Sequence, residues 1–320
     1  MSGVLFISLV FIEVAHACRS ACFADDSSHY VVKSFDFHIE GGHFFSRPPQ
    51  VSKIALVSRD EFQPLKWTSK YESLTFSQIG PDFPFGGLNS QGVVVEALWL
   101  ASSGSPALTS GVPTVNESQY LQYILDTAAT VDEALRLTKQ LQIERVIAPL
   151  HYLMCDASRV CAVVEMKSQG LQTRLLQQPE DQVLENVPHE LMVRKDSRNP
   201  IRLLFLEHRQ QIKNSLEGAF QWLEKVKTPG WSRWQIVYDL KSLKLHFQGL
   251  KPSGSPDRRV SLEFSKTKVA AEARAWDTAG PLKWDRARFR KNFMAFAKGF
   301  PQILPFQERL EKSLEKSFEQ

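Results

Sequence analysis

The chain has 320 residues, 43% hydrophobic and 23% charged, and its 39 Lys and Arg against 35 Asp and Glu leave a net charge of +4. That length and balance describe a soluble globular chain of one large domain or two ordinary ones and exclude the disordered and fibrous classes. The small basic excess gathers toward the C-terminal end and is not interleaved with aromatic residues on one element, so no nucleic-acid partner is expected.

In chain order, the first feature is the apolar run VLFISLVFIEVAHA, residues 4–17. It is shorter than the roughly 20 apolar residues that span a bilayer and is interrupted by Glu13, so no stable membrane span is expected. Ala15 and Ala17 form the A-x-A pattern that signal peptidases accept, and cleavage after Ala17 leaves Cys18 as the new N-terminus. Residues 1–17, with His16 among them, therefore read as a signal peptide, and the protein as secreted or periplasmic. The rival reading is a lipoprotein leader that acylates Cys18, but Ala15 stands where such leaders carry Leu.

Short β-type segments follow at residues 29–37 (HYVVKSFDF), 53–58 (KIALVS), 73–79 (SLTFSQI) and 92–100 (GVVVEALWL), parted by Gly, Pro and Asn-Ser turns. Residues 116–141 switch to helical periodicity. Asn116 is set to cap one helix, and TVDE from Thr130 is a capping-box pattern that opens a second. A hairpin is predicted over 150–166, a helical stretch over 199–226, and a hairpin turning at Asp239 to Ser242 over 234–248. The tail from about residue 268 mixes Trp, Phe and basic residues at helical spacing; packing against its own domain is favoured over contact with a membrane or partner. No linker, repeat or low-complexity tract divides the chain, so residues 18–320 read as one α+β domain of layered sheets and helices.

Four cysteines are too few for a disulfide scaffold of this size. Cys155 and Cys161 flank the turn DASR and either face each other as a disulfide or remain two half-buried thiols. His29, His38, His43 and His151 show no carboxylate or cysteine at ligand spacing, so no metal site is expected.

The chemistry starts from Cys18. As an N-terminal residue it carries a thiol beside its own α-amino group, a usable base with a reference pKa of about 7.7 to 8.0. Lys33 and Asp36 lie three positions apart in an otherwise apolar strand. They either serve that centre, the carboxylate orienting the ammonium and the cation favouring the thiolate, or form an exposed edge-strand ion pair.

Cys18, Lys33 and Asp36, followed by GGLNSQGVVVEALWL, LHYLMCDASRVCAVVE, VLENVP and WSRWQIVYDL, resemble the choloylglycine hydrolase and penicillin V acylase family of N-terminal-nucleophile hydrolases, in order from residue 18 to about 248. The resemblance implies a four-layer αββα sandwich and an enzyme that hydrolyses linear amides through a thioester on Cys18, with a small-molecule amide as partner and no cofactor. Lys33 and Asp36 take the places of the family's basic residue and aspartate, Lys33 where bile-salt hydrolases carry arginine. Asn186 in ENVP takes the place of the oxyanion asparagine. Trp99 falls at the second donor, which would be its backbone N–H. Asn89 matches the family's turn asparagine, where a structural role is favoured over a substrate contact. Arg198, preferred over Arg202, stands for the family's last active-site arginine. The family also leaves room for a homo-oligomer. The alternative from another class is a secreted or lipid-anchored binding protein on the same fold, suggested by Lys33, Trp99 and Glu185 departing from the bile-salt pattern.

Overall fold

The computed structural model describes residues 18–313 except 38, 40, 41, 82, 213, 214, 265–271, 276–280, 283, 284, 299 and 300; the leader, His16 and His38 lie outside the described residues. Two antiparallel sheets form its centre. In the six-stranded sheet, Val183–Glu185, β1 (Arg19–Ala24), β2 (His29–Asp36), Ser232–Asp239, Lys244–Leu250 and Pro256–Glu263 lie side by side in that order. The nine-stranded sheet runs Gly170–Leu175, Cys161–Lys167, Leu150–Cys155, Val94–Trp99, Gly86–Asn89, Ser73–Ser77, His43–Arg47, Glu272–Ala275 and Pro281–Leu282.

The sheets meet face to face. Phe247 of one stacks on Phe76 and meets Phe44 edge-on from the other. Because successive side chains on a strand point to opposite faces, β1 and β2 are split in use. Val31 and Phe35 join the core between the sheets, while Ala21, Phe23 and Val32 join a second cluster with Phe205, Phe220 and Trp222 of the helices Pro200–Ile212 and Leu216–Val226. On the far side, α1 (Glu117–Thr127) and α2 (Val131–Thr138) cover the nine-stranded sheet, with Tyr120 of α1 against Tyr152. Helix, sheet, sheet, helix is the αββα sandwich implied by the sequence.

Most predicted elements are present, and the departures have local causes. Asn116 caps α1 by accepting from the Ser118 and Gln119 amides, and Thr130 caps α2 by accepting from Glu133. The expected strand 53–58 is only Ser52–Ile54, because the Leu56 amide turns to the Gln119 side chain and the Ser58 amide to Glu144 instead of to a strand. The 199–226 helical stretch is two helices, since Ser215 accepts from the Gly218 amide and starts the second afresh. Cys155 and Cys161 are directly opposed across their hairpin and joined as a disulfide. The tail folds back on the chain: Phe289, Phe293, Phe296 and Leu310 join the main hydrophobic core, Phe296 against Phe37 and Phe85.

Candidate active site

Cys18 directly precedes β1, on the side of the strand shared with Cys22, and is buried among the residues between the sheets. Its thiol donates to the backbone carbonyl of Asp36 at 3.6 Å. Burial pushes the Cys18 thiol pKa up, Lys33 pulls it down, and Asp36 and Glu96 push it up again. Three charged side chains from two sheets thus act on one sulfur.

Lys33 lies on β2, an inner strand, and is fully buried. The exposed edge-strand reading is therefore excluded. Its Nζ bridges the sheets, 3.0 Å from Glu96 Oε2 and 2.7 Å from the Ala97 carbonyl, and Tyr238 donates its hydroxyl proton to the other Glu96 oxygen. Burial raises the Glu96 carboxyl, against which Lys33 and Tyr238 favour the ion. Space for that carboxylate comes from Gly86, where a Cβ would stand 2.4 Å from both Glu96 oxygens.

Asp36 turns its carboxylate to the other face of the sheet. It accepts from Arg19 at 2.9 Å, from Thr228 and Ser232 at 2.5 Å each, and from Ser34 at 3.4 Å. A bulge between Ser232 and Trp234 accompanies the pairing of Ser232 with Asp36. Burial raises the Asp36 carboxyl, and the Ser232, Thr228 and Arg19 contacts oppose it. Two ion pairs, the buried Lys33–Glu96 and the partly buried Arg19–Asp36, thus stand on opposite faces of the strands next to Cys18.

The Val183–Glu185 strand pairs with β1, Arg19 opposite Glu185, so Asn186 follows where that register meets Cys18. Asn186 is half-buried. Trp99 ends its strand half-buried, two residues beyond the Ala97 carbonyl that receives Lys33. Asn89 ends the Gly86–Asn89 strand of the nine-stranded sheet and is fully buried. Its amide donates to the Leu125 and Ala128 carbonyls and accepts from the Gln91 and Val93 amides, so all four of its hydrogen bonds join the end of α1 to a hairpin turn. Arg198 is exposed in the turn before the Pro200–Ile212 helix. Its neighbour Asn199 is the residue that reaches the strand end, donating to Glu185 and accepting from the Arg202 amide. Nothing in these contacts brings Arg198 to Cys18.

The sequence reading missed Glu96, Arg19, Thr228 and Ser232. Glu96 had a signal, a single acid inside the apolar run GVVVEALWL; the hydroxyls of Thr228 and Ser232 had none. Two histidines also have the partners denied them above: His151 lies 3.3 Å from Glu165, itself paired with Lys167, and His29 Nε2 lies 3.6 Å from Cys22 Sγ. Burial lowers the His151 pKa against the pull of Glu165, and its Nε2 is buried with no hydrogen-bond partner among the described residues.

The sequence profile of the linear amide C–N hydrolases, choloylglycine hydrolase family, matches residues 18–189, just over half of the chain, beginning at Cys18 itself. The chain belongs to the choloylglycine hydrolase family. A penicillin V acylase of Pectobacterium atrosepticum is 34% identical over 116 residues, a stretch that spans 32% of this chain and 31% of that protein. Among solved structures, the penicillin V acylase of Agrobacterium tumefaciens aligns over 81% of this chain and 91% of its own at 20% identity, with a TM-score of 0.63. A conjugated bile acid hydrolase of Clostridium perfringens aligns over 84% of this chain and 97% of its own at 14% identity, again at 0.63. At those identities the two structures support the fold, and membership rests on the profile.

Proposed function

We propose that this member of the choloylglycine hydrolase family is an exported amidase or acylase that cleaves linear amide C–N bonds with Cys18 as its N-terminal nucleophile. The observation that carries the reading is the place of Cys18, its thiol on the Asp36 backbone carbonyl and under the buried Lys33 charge, inside a match that starts at Cys18. Once the Ala17–Cys18 bond is cut, the freed amine takes the thiol proton, Sγ attacks the acyl carbonyl, the amine returns the proton to the leaving nitrogen, and water resolves the thioester. Lys33 stabilises the developing thiolate. Asp36, held by Arg19, Thr228 and Ser232, keeps its backbone against the sulfur and sets a negative charge near the amine. The Asn186 side chain donates to the oxyanion, with the Trp99 backbone as the second donor.

The relatives put penicillin V first in the order of testing and conjugated bile acids second; acyl-homoserine lactones follow as a third linear amide. The chain should be prepared beginning at Cys18 and, separately, with residues 1–17 retained, and released amine measured for each amide. Release by the first form alone supports the reading. A Cys18-first chain that binds these amides and releases no amine would make the fold a binding module instead.

A further inference from the structure

Cys22 lies four residues past Cys18 on β1 and meets the Cys155–Cys161 disulfide across the sheet interface. The three Sγ atoms lie within 4.8 Å of one another, and all three residues are buried. His29 Nε2 is 3.6 Å from Cys22 Sγ, on the rim of that group and farther than 4.8 Å from at least one of the other two sulfurs.

We propose that, when the Cys155–Cys161 disulfide is reduced, Cys22, Cys155, Cys161 and His29 form a tetrahedral site for one Zn²⁺ ion or a similar thiophilic cation. Around such an ion, with Zn–S of about 2.3 Å and Zn–N of about 2.0 to 2.1 Å, sulfur and nitrogen stand about 3.6 Å apart and two sulfurs about 3.8 Å. The Cys22–His29 spacing already has the first value. For the second, Cys155 and Cys161 part from bonding distance, Cys22 closes by about 1 Å or less, and the His29 ring closes by more than about 1 Å on at least one of the disulfide sulfurs.

The steps balance as follows. A dithiol gives two electrons and two protons to the disulfide, which becomes two thiols while the reductant becomes its own disulfide. The ion then displaces one proton from each of Cys22, Cys155 and Cys161, and neutral His29 binds through Nε2. The three thiolates and the divalent ion leave one net negative charge. Arg209 acts on Cys22 and Arg159 on His29 as nearby cations, with Asp156 opposing both. Disulfide and ion are alternative cross-links of different reach. The disulfide joins two neighbouring strands of one sheet, whereas the ion also fastens β1, the strand that follows Cys18, to the opposite sheet. The inference is independent of the hydrolytic reading.

The test uses the full chain carrying Cys18→Ser, which removes the remaining free thiol. It is purified under a dithiol without oxygen, loaded with Zn²⁺ and passed over a competing chelator. One Zn²⁺ per chain is expected after reduction and none after the disulfide is closed. Co²⁺ in its place should show tetrahedral d–d bands and thiolate charge transfer from three sulfurs. Cys22→Ser and His29→Ala should each weaken Zn²⁺ by more than the roughly 10- to 100-fold that loss of an outer partner costs. A reduced chain that keeps no Zn²⁺, or variants that bind it as tightly as the parent, would overturn the proposal. Should Cys22→Ser fail to fold, the Co²⁺ spectrum of the parent decides, and bands from two thiolates or fewer would equally overturn it.

Discussion

The Lys33–Glu96 pair is the residue-scale feature on which the site depends. Both side chains lie at 2% exposure or less, and burying one such charge unpaired costs far more than the pair returns. Lys33→Met should therefore destabilise the fold by about 3–5 kcal/mol, and adding Glu96→Gln should recover a large part of that loss. Denaturant melts of the two variants decide it; equal losses would show that Glu96 is not left as an uncompensated ion. A second residue-scale expectation concerns His29, whose pKa falls from 6.5 to about 4, chiefly through burial with Arg159 adding to it. Between those values the unfolded chain binds more protons than the folded one. Stability should be level above pH 6.5 and fall as pH drops toward about 4, by up to about 3 kcal/mol from this group. Denaturant melts from pH 7 to 4 should show a shallower decline in His29→Gln, and an unchanged slope would assign the acid loss to other groups.

At the scale of elements, function depends on strands meeting in register. The pairing of Arg19 with Glu185 brings Asn186 to the end of the strand led by Cys18, although 168 positions separate Cys18 from Asn186 in the numbering. If the side chain is an oxyanion donor, Asn186→Ala should lower kcat by roughly 10²–10³ with KM little changed, and a rise in KM alone would make it a pocket residue. The hairpin partner strand at Gly86 is equally constrained. Gly86→Ala sets a methyl 2.4 Å from a carboxylate that Lys33 and Tyr238 hold in place, so the Glu96 side chain or the strand has to move. The expected result is a stability loss of about 1–3 kcal/mol together with lost amidase activity. A variant with parental melting and turnover would show that the Glu96 position is unimportant to both.

For the whole molecule, the central prediction is that removal of the leader switches on the chemistry. A peptide bond to Ala17 ties up the amine of Cys18, so a chain that keeps residues 1–17 should release no amine from any amide, while the chain that begins at Cys18 should. Mass spectrometry of the first residue beside the activity assay checks both parts at once. An uncleaved chain with the turnover of the mature one would remove the α-amine as base. The fold suits such a terminus, because β1 is an inner strand between Val183–Glu185 and β2, fixing the residue that precedes it at the sheet interface.

Local patterns in the sequence determined a good deal by themselves. Asn116 and Thr130 cap the helices they were expected to cap, and the β-type segments at 29–37 and 92–100 became inner strands, because caps and strand-forming residues between turn signals depend on neighbours within a few residues. The order of motifs from Cys18 onward was enough to indicate the family and its layered fold. What the sequence could not determine is which charges face one another, since that depends on the register and stacking of strands far apart in the chain. Only the tertiary structure decided that Lys33 is paired with Glu96 across the sheet interface, that Asp36 is held by Arg19, Thr228 and Ser232 on the opposite face, and that Asn89 joins α1 to a turn. It also decided that Cys22, His29 and the Cys155–Cys161 pair share one buried place, because burial makes each polar group find a partner wherever the packing brings one.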